Sequence, residues 1–419
     1  MRIDKLLTTR LFLATLVSLL APYASGQTTA VEPKLCGHFR AIDGLDVLFL
    51  HGSDEEQAFT EGYLCATRIQ ELFSDFALHN AFVPKPAAWD IAMRPQLDKS
   101  IALPERLRAW GAALLRGMEA RDPESLTIAD LDRKLTADDV LAIAALPDFV
   151  GLMCSSVAVW GDGAAKPGPL VGRNMDYSAT PKLLEYVQVV VRTGRDGRAD
   201  TVSLAWPGLA GVVTGVSDRG VFLAIHDVMT KKVGRERCVP RTVALLDLLE
   251  TFTPDTDPGI AAGDALRRSR FGMGGNVMFA WRGDANGRAP GAAILEIGPD
   301  DFTEDGVTVR GPADGQPFVT CSNHYRMRTE PEPCWRFKAL FDGVNERDHA
   351  FDLAALRQLV RRSQVSMTLH QVCADLASGE IVFRVRRAVD GKRDGGRWTE
   401  TGIWSLADLF AEARNGSAR

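Results

Sequence analysis

The chemistry open to this chain starts with its thiols. Cysteines stand at 36, 65, 154, 238, 321, 334 and 373. Cys154 opens an apolar run, Ser155-Ser-Val-Ala-Val-Trp160, that reads as a strand. A second run, 170–174, follows a spacer rich in turn residues, Gly161-Asp-Gly-Ala-Ala-Lys-Pro-Gly-Pro169. Together the two predict a β-hairpin. Setting Trp160 opposite Leu170 places Cys154 opposite position 176, with a register slip of about two residues allowed. The run Arg173-Asn-Met-Asp176 is then delivered beside Cys154. A thiol, a guanidinium and a carboxylate converge at one end of the hairpin.

That grouping suits nucleophilic chemistry. The thiolate is the reactive form of cysteine, and a nearby arginine favours the anion. Asp176 is placed to hold an ammonium group. No histidine base is obvious beside Cys154. A cysteine at a chain terminus needs none, because its own α-amino group, with a pKa of about 7.7–8.0, can take the proton. Other chemistries find no motif. There is no CxxC and no HExxH. Gly215-Val-Ser-Asp-Arg-Gly220 misses the GxSxG spacing by one residue, and Gly272-Met-Gly-Gly275 lacks a GxGxxG frame. No metal or organic cofactor is implied.

The elements that must position these residues change in texture along the chain. A strand is expected over 45–50, then a long helix over 54–79 capped by Ser53, then helices over 103–118 and 137–146. Beyond Cys154, short β-rich runs recur between Gly, Asp and Pro turns, interrupted by helices at 242–249 and 352–361. The pattern predicts an α+β fold, with 255–263 and 311–316 as surface loops. Residues 1–26 read as a signal peptide. Arg2, Lys5 and Arg10 precede an apolar run over 11–21, too short to span a bilayer, and Ala24-Ser-Gly26 supplies a cleavage signal. Export to the periplasm or medium is expected, where up to three cysteine pairs could form. The net charge of −5 on 419 residues gives no electrostatic footprint for nucleic acid.

Cys154-Ser-Ser-Val-Ala-Val-Trp-Gly followed by Gly172-Arg-Asn-Met-Asp-Tyr177 resembles the C45 peptidases, the acyl-CoA:6-aminopenicillanate acyltransferase group, which is related to choloylglycine hydrolases and acid ceramidase. The likeness runs from Leu48-Phe-Leu-His-Gly-Ser53 through Trp206-Pro-Gly-Leu-Ala-Gly211 and Gly275-Asn-Val277 with Leu295-Glu296. It continues to Ser322-Asn-His-Tyr325 and Thr368-Leu-His370. The resemblance implies a four-layer αββα Ntn-hydrolase sandwich of two antiparallel sheets flanked by helices. It also implies self-cleavage between Met153 and Cys154. A helix-rich segment, 27–153, would then remain packed against a catalytic segment, 154–419.

On the same resemblance Cys154 is the nucleophile and its freed amine the base. Arg173 and Asp176 order the thiolate and amine, and Asn323 contacts the substrate or oxyanion. Relatives often place an oxyanion-donating Asn after the Gly220-Val-Phe-Leu run, whereas this chain reads Ala224-Ile-His226-Asp227. His226 either donates in its place or is a core histidine satisfied by Asp227. Asn276 reads as a turn or strand-start residue, and His324 and His370 as structural. The substrate class implied is a small N-acyl amide, hydrolysed or transferred. Two other readings stand beside it: a non-catalytic binding protein on the same scaffold, and a papain-like thiol protease.

Overall fold

A computed structural model describes residues 33–79, 85–151, 153–178, 180–194, 197–230, 236–253, 257–284, 287–299, 306–313, 315–389 and 392–416. The leader predicted over 1–26 lies outside the described residues. Leu35–Arg419 forms one unit of α+β architecture.

Two large sheets carry the fold. The nine-stranded sheet runs, in spatial order, Gly37–Ile42, Leu45–Leu50, Gln188–Arg192, Thr201–Ala205, Thr214–Ser217, Val221–Val228, Gly274–Trp281, Gly291–Ile297 and Val307–Arg310. Its neighbours are antiparallel except for Leu45–Leu50 against Gln188–Arg192, which are parallel. The seven-stranded sheet runs Phe318–Cys321, Met153–Val159, Leu170–Asp176, Thr368–Asp375, Glu380–Val389 and Lys392–Glu400, with Trp404–Ser405 alongside Glu380–Val389.

The alternation of side chains along each strand assigns the layers. Gly172 faces outward, where an added Cβ would strike Val360 and Leu356 of the helix Leu353–Arg361. Arg173, one residue on, faces inward and meets Val213, Thr214 and the Ile225 carbonyl of the other sheet. Gly215 faces outward from the nine-stranded sheet against Leu249 of the helix Arg241–Thr251. The order is therefore helix, sheet, sheet, helix, the αββα arrangement expected. Inward-facing aliphatic and aromatic side chains fill the space between the layers.

Several elements differ from the sequence expectation. The predicted loop 255–263 is in part the helix Pro258–Arg267, capped by the Asp257 side chain on the Ile260 amide. Pro258 opens this helix without breaking it, because proline at the first helical position needs no donor partner. The central strand Thr368–Asp375 was not expected, because His370, Gln371 and Asp375 break its apolar run although all eight residues are buried. The helices Trp335–Asn345 and Leu406–Asn415 were also missed. All seven cysteines are free thiols, so no disulfide of the kind allowed by an oxidising compartment is present. Among the described residues no helix is long and apolar enough to cross a membrane.

Candidate active site

The hairpin predicted around Cys154 forms, one residue out of the expected register. Val159 pairs with Leu170, so Cys154 faces Met175 and Met153 faces Asp176. Directly opposed residues share a face. Cys154, Ser156, Arg173 and Met175 thus point between the sheets, whereas Ser155, Asn174 and Asp176 point to the helices. Gly151, at φ 60°, turns the chain from the helix Pro147–Val150 into the strand, a backbone conformation suited to glycine.

Arg173 reaches diagonally along the shared face. Its Nη2 donates to Cys154 Sγ at 3.0 Å and to the Ile225 carbonyl at 2.8 Å. Nη1 donates to the Val213 carbonyl at 3.1 Å and to Thr214 Oγ1, and lies 3.4 Å from His370 Nε2. These contacts fix the guanidinium against the sulfur. Both Cys154 and Arg173 are fully buried. Burial pushes the thiol up to about 11, with Arg173 acting in the opposite direction. Desolvation therefore outweighs the arginine, and the thiol is held protonated at neutral pH.

A second arginine, which the sequence reading missed, handles the backbone of Cys154. Arg336, in the first turn of Trp335–Asn345, donates from Nη1 to the Cys154 carbonyl at 3.2 Å and to Asp176 Oδ2 at 2.8 Å. Its Nη2 donates to Asn323 Oδ1 at 2.9 Å. Asp176 also accepts from Thr368 Oγ1 at 2.6 Å. Burial raises the Asp176 carboxyl above its ordinary value, while Thr368 and Arg336 hold it down. Asp176 is thus tied to Cys154 through Arg336, on the face away from the thiol.

Asn323 Oδ1 accepts from the Cys154 amide nitrogen at 2.7 Å, and its Nδ2 donates to the Asp227 carbonyl at 2.7 Å. Asn323 thus grips the Cys154 backbone nitrogen with its oxygen, and its amide donor is engaged by Asp227. His226 is fully buried. Nδ1 lies 3.2 Å from the Asn276 carbonyl and Nε2 lies 2.7 Å from Ser156 Oγ. A carbonyl only accepts, so Nδ1 carries the proton and Nε2 accepts from the Ser156 hydroxyl. Burial, then Arg173, keeps the ring well below its ordinary pKa, hence neutral. Its partners are Ser156 and Asn276, not the Asp227 side chain anticipated for a core histidine.

Asn276 lies within the strand Gly274–Trp281, not in a turn, and its side chain bonds the loop that carries Asn323. Little in the local sequence singles out Arg336, because one buried arginine in an amphipathic helix has no signature. Thr368 belongs to a quoted motif without an assigned role. Among the described residues no cluster of three or more His, Cys, Asp or Glu could hold a metal.

Two hollows flank Cys154. A small apolar cavity, of about 50 Å³, is lined by Met175, Tyr177, Trp206, Leu209, Val213 and Phe76, so it begins at the residue opposite Cys154. On the other side, an open cleft of mixed polar and apolar lining is bounded by Met153, Asp227, Met229, Asn323, His324 and Arg336.

No family model matches the chain, and no curated protein does. Among solved structures it is similar to a Caenorhabditis elegans ortholog of N-acylethanolamine-hydrolyzing acid amidase, at 16% identity over 60% of this chain and 100% of that one, with a TM-score of 0.41. A mutant of conjugated bile acid hydrolase from Clostridium perfringens matches at 12% identity over 62% and 94%, TM-score 0.39. Penicillin V acylase from Agrobacterium tumefaciens matches at 13% identity over 59% and 90%, TM-score 0.37.

Proposed function

We propose that this chain is an exported C45-type Ntn hydrolase that cuts itself before Cys154 and then hydrolyses N-acyl amides with an apolar acyl group. The observation that carries the reading is the double hold on Cys154. Arg173 touches its sulfur, while Asn323 and Arg336 hold its nitrogen and carbonyl.

In the first reaction Sγ attacks the Met153 carbonyl, the bond to the Cys154 nitrogen breaks, and that nitrogen takes up a proton. Water then hydrolyses the Met153 thioester, leaving a free amine and a free thiol. In the second, the amine takes the thiol proton while Sγ attacks the substrate carbonyl. The leaving amine departs with a proton, and water releases the acid from the acyl-Cys154 thioester. The apolar cavity beside Met175 takes the acyl chain, and the cleft at Met153 takes the amine. Hydrolysis is favoured over transfer to another amine because water is abundant outside the cytoplasm and acyl-CoA scarce. The basic, apolar and small-residue order of residues 1–26 supports export. A papain-like protease would need an imidazole on the thiol. Among the described residues the hydrogen bond to Sγ comes from Arg173.

Intact mass of the purified protein, followed by a panel of N-acyl amides, tests the reading. Two chains, the second starting at Cys154, and turnover of amides with an apolar acyl group are expected, both abolished in Cys154→Ala. A single uncut chain that turns over no amide and takes no thiol-reactive probe at Cys154 would overturn it.

A further inference from the structure

The loop that delivers Asn323 is held by three side chains from outside the catalytic strand pair. Asn276 and Glu296 stand directly opposite each other on neighbouring strands of the nine-stranded sheet, and both are fully buried. Asn276 Nδ2 donates to the carbonyls of Ser322 at 2.8 Å and His324 at 2.9 Å, one on each side of Asn323. Glu296 accepts from three successive backbone amides just beyond. Arg326 donates at 2.8 Å, Met327 at 3.1 Å and Arg328 at 3.0 Å. Arg310 Nε adds a contact at 3.4 Å. Between these two clamps, Tyr325 Oη donates to the Ile297 carbonyl at 2.5 Å. The tyrosine fits because Gly274 and Gly298 leave room, since an added Cβ at either would strike its hydroxyl.

We infer that Asn276, Glu296 and Tyr325 are positioning residues, a seat that sets the reach of Asn323 Oδ1 to the nitrogen of Cys154. The inference rests on the reading of Cys154 as an N-terminal nucleophile. The geometry goes beyond ordinary loop anchoring in one respect. The two amide hydrogen bonds bracket the single residue that touches the scissile nitrogen, and the carboxylate gathers three amides within a few residues of it. Hydrogen bonds to a carboxylate are of the stronger kind, and a buried acceptor left unmatched disturbs its surroundings. The seat therefore acts before cutting on an amide nitrogen and after cutting on the amine derived from it. The seat also gathers three motifs far apart in the chain, Gly275-Asn-Val277, Leu295-Glu296 and Ser322-Asn-His-Tyr325, into one device.

Glu296→Gln and Tyr325→Phe test it. The first presents an NH₂ to backbone donors, and the second removes only the hydroxyl. Self-cleavage followed by intact mass should slow on the order of a hundredfold in Glu296→Gln, as expected for a displaced reacting group. It should slow about tenfold or less in Tyr325→Phe, the loss of one hydrogen bond. In the matured enzymes the acid limb of the kcat/KM profile for an N-acyl amide should move to lower pH. Asn323 Oδ1 favours the protonated amine, so weakening that contact lowers the amine pKa. A seat with a merely structural role would lower the amount of folded protein without moving that limb. Wild-type cutting rates and an unmoved limb in folded Glu296→Gln would overturn the inference. If that variant does not fold, the same result in Tyr325→Phe would do so.

Crystal structures of Cys154→Ala with and without Glu296→Gln give an answer that needs no activity. Asn323 Oδ1 should stay on the residue 154 nitrogen in the first and withdraw by about 1 Å in the second. An unchanged contact would overturn the seat. Absence of cutting and turnover in the wild type would instead remove the nucleophile reading, while the pair of structures still decides the seat.

Discussion

Two arginines reach Cys154 from opposite faces of one strand. Arg173 lies between the sheets, 19 positions along the chain from Cys154, and touches the sulfur. Arg336 lies on the helix side, 182 positions along, and touches the carbonyl. The inter-sheet face holds the side chain of Cys154 and is almost closed to solvent. The helix face holds its backbone nitrogen and carbonyl. Each arginine is engaged by acceptors of its own side: backbone carbonyls and Thr214 around Arg173, and Asp176 with Asn323 around Arg336. A single buried cation could not satisfy both sets. The difference teaches that one reactive residue is held by two separate polar networks with different duties.

The comparison can be broken most severely at Arg173. Arg173→Lys keeps the charge but loses the planar fork that serves several acceptors at once. Self-cleavage should fall on the order of 10²–10³-fold, read by intact mass over time. The sulfur should also respond more weakly to alkaline pH in alkylation by a thiol probe. Unimpaired cutting would reduce Arg173 to a strut between the sheets.

Arg336→Lys should cost on the order of 10²-fold in cutting through misplacement of the scissile bond, while leaving the pH dependence of alkylation at Sγ in place. Because burial raises the Asp176 carboxyl, it protonates at a higher pH than an ordinary aspartate and loosens its hold on Arg336. Wild-type cutting should therefore fade as pH falls through that raised value. If Asp176→Asn retained the same acidic fade, the assignment to Asp176 would be wrong. Movement of the alkylation profile in Arg336→Lys would merge the two networks into one.

The smallest effect belongs to Ser156, on the inter-sheet face but outside the reacting atoms. Ser156→Ala leaves His226 Nε2 without its donor, which should cost about 1–3 kcal/mol in stability by denaturant unfolding. Cutting should change only a few-fold. A large loss of cutting without loss of stability would promote Ser156 and His226 to direct participants.

Locally encoded features were legible in the chain. The hairpin turn, the strand runs and the arginine two to three positions from the expected contact all lie within 153–176, so strand pairing alone brings Arg173 near Cys154, while the register decides which face it shares. The register differed by one because the strands close at Val159 and Leu170, ahead of Trp160. That single step moved Asp176 to the other face and turned Arg173 onto the face of Cys154, since side chains alternate. The resemblance likewise singled out Asn323, yet which of its atoms meets Cys154 was settled by Arg336 and Asp227 around it. His226 behaved in the same way, its tautomer following from Ser156 and the Asn276 carbonyl.

Legible in the chain by itself were the hairpin at Cys154 and the nearness of Arg173 on its second strand, because strand pairing over a short spacer is a local property. Only the tertiary structure decided that the Cys154 thiol is raised to about 11, since burial is set by the opposite sheet. It alone brought Arg336, Thr368, Asn276 and Glu296 to the site, from strands and a helix more than a hundred residues away. Arg336 carries no local signature, and Asn276, Glu296 and Thr368 stand in motifs that assign them no role at the site, because a buried polar side chain looks ordinary until its partners are folded around it.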